Sequence, residues 1–427
     1  MTTKPKAERR RAIAAACAGG LALCGALALG WTAPAAAQAG QQDKDKAAAA
    51  TIDIRLHDSR LMDARAALLA RAEAELARGD AAAATETFDR AAMMLHAPDT
   101  EMGLVRSYMQ AGHYRRALAF CAHTAGVHRE ASAAGALYAW LLQAGGQGAF
   151  AERTLKAALE RAPQDAVLLE TRRALAAPLP TASAALLQTP HRMAPQPVML
   201  GGQPAVPAEA RAVASGVLLA GGALALVPRS AVVGASPQGA PVWVRNGLGQ
   251  TTRAQIAATD QKALDALGVA LLRLEAPLDT SAVAAGPAPR EPFAGSPGFA
   301  LQYAAGAASS ASASASDAGA AWPWLSQGFF GTLPAQPDRP RRLGLELAAG
   351  PYGGPVFDAQ GRLAGMAVPG PQGEALMLSA ARWQDLPGMP TASAVHDEAA
   401  SPPRGTAPAD EVYESGLRLA LQVIALH

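Results

Sequence analysis

Seven prolines between residues 178 and 207 divide the chain into two regions of different periodicity, and this division constrains the fold more than any other feature. Proline has a fixed φ and no backbone N–H, so a segment this rich in it sustains neither a helix nor a central strand. The sequence therefore predicts an interdomain linker over 178–207. A second proline-rich linker is predicted over 387–408. A chain of 427 residues also exceeds the size of one ordinary core, which favours two domains.

Three glycines recur 33 and 34 residues apart before the linker, at Gly79, Gly112 and Gly146. Each is followed at five, nine and twelve residues by side chains that share one helix face: Ala84, Phe88 and Ala91; Ala117, Cys121 and Thr124; Ala151, Leu155 and Ala158. Glycine would close the turn between antiparallel helices, and alanine would let them approach. The period resembles the tetratricopeptide repeat and predicts a helical array over 53–177. Such an array usually binds a protein or peptide on its concave face. The alternatives are a rigid spacer and a docking surface for the neighbouring domain of the same chain.

Three histidines, His113, His123 and His128, fall within the second repeat. They lack the i, i+4 spacing of helical metal ligands and have no cysteine pair nearby. The sequence therefore predicts solvent-facing histidines, no metal site and no cofactor.

The amino-terminal segment has the pattern of a secretory signal peptide over 1–37. Basic residues precede an apolar run from Ala12 to Trp31, and Ala35 and Ala37 offer a cleavage point. This pattern predicts a periplasmic or secreted protein, with a retained membrane anchor as the alternative. Removal of the segment would leave Cys121 as the lone cysteine, so no internal disulfide is expected. The formal charge of +2 does not indicate the basic surface that nucleic-acid binding needs.

Beyond the linker, short β-like runs separated by turn residues predict an all-β barrel or sandwich. In order they include "SGV", "VWVRN", "VALLRLEAPL", "GSPGFAL" and "GPYGGPVFDAQGRLAGM". This order is similar to the trypsin-like serine proteases, in particular the disulfide-free bacterial Deg type. The resemblance implies two six-stranded β-barrels over 208–386 with a cleft between them. A low-complexity insertion at 304–321 interrupts the second barrel.

The resemblance also locates the catalytic triad, but none of its three positions holds the required residue. Ser230 or Ala231 stands where the histidine belongs, Gly268 replaces the aspartate, and Tyr352 replaces the serine. Asp265 lies three residues before Gly268 and is predicted to be a surface residue. No histidine occurs between His191 and His396. Because the serine needs a histidine base, the sequence predicts a catalytically inactive domain that works by binding.

Two alternatives stay open: an active serine endopeptidase with a rearranged site, and a structural accessory of the cell envelope. Gly350 and the backbone of Tyr352 match the positions of an oxyanion hole and, with Gly353, are the predicted binding residues. The partner is predicted to be a protein or peptide, bound by the repeats or the barrel cleft. In the tail, the spacing of Val412, Leu417, Leu421 and Ile424 predicts a helix over 409–427 that docks onto a domain.

Overall fold

The computed structural model describes the chain in segments. These are residues 39–177, 203–207, 209–219, 221–232, 241–257, 261–280, 288, 290–303, 321–334, 339–347, 352–370, 372–383 and 405–426, with only the backbone described over 39–57. The expected signal peptide therefore lies outside the described residues, as do nearly all of the insertion at 304–321 and most of both predicted linkers. Residues 61–427 form one compact unit that contains both the helices and the strands.

Residues 39–177 form seven consecutive helices joined by short turns, consistent with a repeat array. Its helices are α1 Ala39–Ala77, α2 Ala81–Met94, α3 Pro98–Gln110, α4 Tyr114–Val127, α5 Ser132–Ala144, α6 Gly148–Arg161 and α7 Ala166–Ala176. The turn glycines Gly79, Gly112 and Gly146 have φ of 84°, 76° and 77°, the left-handed conformation that glycine adopts at no steric cost. Every residue of the predicted helix face is buried. The glycine period therefore located the helix pairs correctly.

Local signals explain where several helices begin. Asp80 accepts a hydrogen bond from Ala83 N at 3.0 Å to cap α2, and Asp165 caps α7 in the same way through Leu168 N. Pro98 opens α3, where its missing N–H costs nothing. Among the helices of the described segments, none is both long enough and apolar enough to cross a membrane.

Twelve strands in the described segments form two closed barrels of six. They are β1 Arg211–Leu218, β2 Leu224–Pro228, β3 Val242–Asn246, β4 Thr251–Ile256, β5 Val269–Leu274, β6 Pro297–Gln302, β7 Trp324–Phe330, β8 Arg341–Gly344, β9 Pro355–Phe357, β10 Leu363–Pro369, β11 Ala375–Ser379 and β12 Ala420–Ala425. The first barrel has the order β1-β12-β3-β4-β5-β2, and the second β10-β11-β8-β7-β6-β9. Short helices α8 Gln261–Ala266 and α9 Ala380–Trp383 accompany them, and α10 is Ala409–Leu419.

The structure corrects the predicted helix over 409–427. Helix α10 ends at Leu419, and residues Ala420–Ala425 form β12, which pairs with both β1 and β3. Every residue of β12 is buried, so its apolar positions satisfy a helical spacing and a strand equally well. The first barrel therefore takes its sixth strand from the tail, and the barrel domain does not end at 386 as predicted.

The helices and the barrels share one apolar cluster. It includes Tyr114 and Trp140 from the helices together with Leu272, Trp324 and Tyr413. The Tyr114 and Tyr413 rings lie 4.4 Å apart between centroids, and those of Trp140 and Trp324 lie 5.7 Å apart. The array thus packs on the barrels of its own chain, which is one of the alternatives that the sequence left open.

The expectation of solvent-facing histidines is correct for His113 and His123 but wrong for His128. His128 is 8% exposed, because it ends α4 at the point where that helix packs beside the start of α3. There its ring faces the buried carboxylate of Glu101.

Candidate functional site

Two of the three degenerate positions are neighbours at one end of the first barrel. Ser230 lies in a single turn of 3₁₀ helix, Arg229–Ala231, that directly follows β2. Gly268 directly precedes β5, and β2 and β5 pair with Pro228 opposite Val269. The Arg229 N–H accordingly donates to the Gly268 carbonyl at 2.9 Å. The fold thus places the expected histidine and aspartate positions side by side.

The segment after Tyr352 brings the third position to the same place. A Cβ on Gly353 would lie 2.0 Å from Ser215 O of β1 and 2.6 Å from Pro228 Cδ, and its φ is 137°. A Cβ on Gly354 would lie 1.9 Å from Leu301 O. Only glycine fits at both positions, because the chain passes between the backbones of the two barrels. This close contact holds Gly353, the residue after Tyr352, beside Pro228, which directly precedes the turn of Ser230.

The side chains at these positions cannot form a proton relay. Ser230 is exposed, and Gly268 has no side chain and no atom within 4 Å of its would-be Cβ. Tyr352 is half-buried and packs against an apolar cluster of the second barrel that includes Val356. Asp265 is on the surface, as predicted, where its Oδ1 lies 2.5 Å from Arg229 Nε.

The predicted binding residues are only partly open to a ligand. Gly350 lies outside the described residues, so its place in an oxyanion hole stays a prediction. Gly353 is buried between Ser215 and Pro228, where it joins the barrels. Tyr352 is the one of the three that is both described and partly exposed.

Three side chains at the barrel contact, Ser215, Gln302 and Tyr303, make structural hydrogen bonds there. Ser215 is fully buried, and its Oγ accepts from Tyr303 N at 2.9 Å. Gln302 Oε1 accepts from Gly354 N at 3.1 Å, and Tyr303 Oη donates to Ala420 O at 3.1 Å. Ser215 is therefore no substitute nucleophile, because its hydroxyl is fully buried and already hydrogen-bonded.

Burial also shifts the pKa values of two side chains in this region, Tyr303 and Arg245. It raises the pKa of the Tyr303 hydroxyl well above its ordinary value, so that group stays neutral. It lowers the pKa of Arg245 to about 10, against the opposing influence of Tyr303. Sequence reasoning missed Gln302, Tyr303 and Arg245, because Gln302 and Arg245 lie in strands whose pattern indicates only burial and Tyr303 directly follows one of them.

Comparison with known proteins supports the barrel assignment. Residues 214–366 match the family model described as "Trypsin-like peptidase domain". The match begins in β1 and ends in β10, so it spans both barrels and includes Ser230, Gly268 and Tyr352. No curated protein matches the chain.

Proposed function

We propose that this protein is an exported binding or scaffold protein whose trypsin-like domain does not hydrolyse peptides. One observation carries the proposal: the three positions that a triad would occupy lie together and hold Ser230, Gly268 and Tyr352. A side chain that lacks a neighbouring base is not activated as a nucleophile. Members of a triad act as a unit, so the loss of all three removes the chemistry and leaves the scaffold.

The binding role rests on the helical region. If its period of 33 and 34 residues marks tetratricopeptide repeats, its natural ligand is a protein or peptide. Two of the three glycine turns of the array already contact the barrel region, because Gly146 O accepts from Gln327 Nε2 at 3.1 Å and Ala111 O accepts from Arg418. A partner would therefore use the remaining faces of the array or the barrel cleft.

Export rests on the amino-terminal pattern alone and places the protein in the periplasm or outside the cell. Amino-terminal sequencing of the native protein should find a start near Gln38. A start at Met1 would contradict cleavage and favour the membrane-anchored alternative.

Two other functions compete with this one. A structural accessory of the cell envelope is favoured by the apolar cluster that the helices and barrels share. An active serine endopeptidase would need a base from elsewhere in the chain. His396 and His427 lie outside the described residues, so this alternative is decided by experiment.

Labelling with a fluorophosphonate probe is the decisive experiment. We expect no covalent adduct on the wild-type protein and no casein hydrolysis, whereas an active trypsin-like enzyme treated in parallel is labelled stoichiometrically. Stoichiometric labelling within 208–386, matched by hydrolysis that scales with it, would establish the endopeptidase instead.

A restoration series separates a missing triad from a damaged scaffold. Tyr352→Ser alone should stay unlabelled, because its hydroxyl would have no base. The matched variant adds Ser230→His at an exposed position and Gly268→Asp at a position with open space around it but a left-handed φ of 69°, where aspartate is better tolerated than most residues. Labelling of Tyr352→Ser alone would mean that a base already exists and would contradict the proposal.

A further inference from the structure

The helical region brings together a cluster of three histidines and one glutamate that no sequence pattern predicted. His96 lies in the loop between α2 and α3, Glu101 in the first turns of α3, His123 on α4, and His128 at the end of α4. Because α3 and α4 are antiparallel around Gly112, the start of one lies beside the end of the other. Residues that are distant in sequence therefore meet at one end of the helix pair.

The ligand atoms of this cluster converge on the Glu101 carboxylate. His96 Nε2 lies 2.6 Å from Glu101 Oε1, and His123 Nε2 lies 3.9 Å from the same oxygen. One ligand atom from each of these three residues lies within 4.8 Å of the others. Zinc bonds of about 2.0–2.1 Å place tetrahedral ligand atoms about 3.4 Å apart, so small rotations of exposed side chains bring these atoms into range.

Two atoms in the buried half of the cluster lack hydrogen-bond partners. Glu101 is 3% exposed and His128 is 8% exposed, yet Glu101 Oε2 and His128 Nε2 have no hydrogen-bond partner among the described residues. The two atoms lie 3.5 Å apart. When His128 carries its proton on Nδ1, which lies 3.5 Å from Glu130 Oε1, both facing atoms are acceptors. Two buried acceptors that face each other are unfavourable, and a metal cation between them would satisfy both.

We propose that His96, Glu101, His123 and His128 form a binding site for a divalent transition-metal ion, and that Zn²⁺ is the ion that fits. Imidazole nitrogens with one carboxylate are typical zinc ligands, whereas Ca²⁺ and Mg²⁺ require sets of oxygen ligands. Glu130 would orient the His128 ring from behind, as outer carboxylates commonly do for metal-bound histidines.

A bound ion would cross-link the loop between α2 and α3 to the end of α4. His96 and His123 have side chains 56% and 53% exposed, so both can reorient towards an ion without disturbing the core. Glu101 and His128 would supply the rigid, buried side of the site. Binding should therefore stabilise the folded chain, since an ion that binds only the native state raises its stability.

Zinc titration of the untagged full-length protein tests the proposal. After removal of metal with a chelator, binding is measured by competition with a chromogenic zinc indicator. We expect one tight site per chain and a rise in Tm when Zn²⁺ is added. His96→Ala and His123→Ala should each weaken that site by at least about tenfold, the scale typical of altered metal surroundings.

His113→Ala is the matched control, because His113 is an exposed histidine in the same repeat but outside the cluster. It should bind Zn²⁺ as the wild-type protein does. The substituted positions are exposed, so circular dichroism should show unchanged folding in all three variants. Absence of a tight site in the wild-type protein, or equal affinity of the three variants, would overturn the proposal.

Discussion

At the scale of single residues, Gly353 joins the two barrels through a contact that no other residue permits. Its φ is 137°, and a Cβ would lie 2.0 Å from Ser215 O, a backbone atom that cannot move aside. We expect Gly353→Ala to destabilise the protein by about 2–4 kcal/mol, the range of substitutions that combine a steric clash with backbone strain. The midpoint of urea denaturation measures this change.

Gly361→Ala is the control for strain without a clash. Its φ of 75° is also left-handed, but the nearest atom to its would-be Cβ is 3.4 Å away. This variant should lose only about 1–2 kcal/mol. Equal losses in the two variants would mean that the barrels are not in close contact at Gly353.

Cys121 is a second residue whose surroundings fix its chemistry. It is fully buried on α4 with Sγ facing Ala134 O, and burial, reinforced by the Glu101 carboxylate, raises the pKa of its thiol. Because only the thiolate reacts, we expect iodoacetamide to leave Cys121 unmodified in the native protein. Raising the pH from about 7 to about 9 should accelerate modification of glutathione but not of Cys121.

Mass spectrometry of the peptide that contains Cys121 measures this, with urea-unfolded protein as the positive control. Rapid modification of the native protein would indicate that α4 opens readily and would contradict the buried position.

At the scale of helices and strands, the sequence predicted the features that depend on local chemistry, such as the turns between paired helices. The positive φ of Gly79, Gly112 and Gly146 is a local requirement, so their period located the helix pairs. The histidine cluster depends on how the helices pack, so no single segment of the sequence predicts it. One clue was present: Glu101 and His123 lie eleven residues on either side of Gly112, so a helix hairpin that turns there sets them side by side.

Strand β12 was missed for a different reason. Its partners β1 and β3 lie about 200 residues away in sequence. A segment that is apolar except for Gln422 and buried at every position has no period that separates strand from helix. Long-range contacts also limit what the sequence shows of the three degenerate triad positions. The resemblance identifies these positions. That they lie close together depends on the pairing of β2 with β5 and on the close contact at Gly353.

Strand β12 closes the first barrel, so its removal should have a large effect. Deletion of 420–427 would expose the unpaired edges of β1 and β3 and remove several fully buried apolar side chains. We expect the truncated protein to aggregate or to lose its cooperative thermal transition, whereas deletion of His427 alone should leave it unchanged. A truncated protein with the wild-type Tm would contradict the barrel order.

At the scale of the whole molecule, α10 links the two regions that the prolines separate in sequence. Tyr413 of α10 is fully buried, its ring lies against Tyr114 of α4, and its Oη donates to Pro323 O at 2.9 Å. Arg115 and Glu414 add an ion pair nearby, but Arg115 is half-exposed, and such pairs contribute little. The apolar contact, and not the charge, should hold the regions together.

A protease site placed within 178–202 tests this conclusion. After cleavage, the helical and barrel fragments of the wild-type protein should co-elute in size-exclusion chromatography, because their shared cluster does not depend on the linker.

Tyr413→Ala should separate the two fragments, since truncation of a buried aromatic side chain costs about 3–5 kcal/mol. Tyr413→Phe removes only the hydrogen bond to Pro323, about 1 kcal/mol, and should leave the fragments associated. Arg115→Ala should behave like the wild-type protein. Separation of the cleaved wild-type fragments would show that the regions are independent domains, and the helical array would then have its glycine turns free for an external partner.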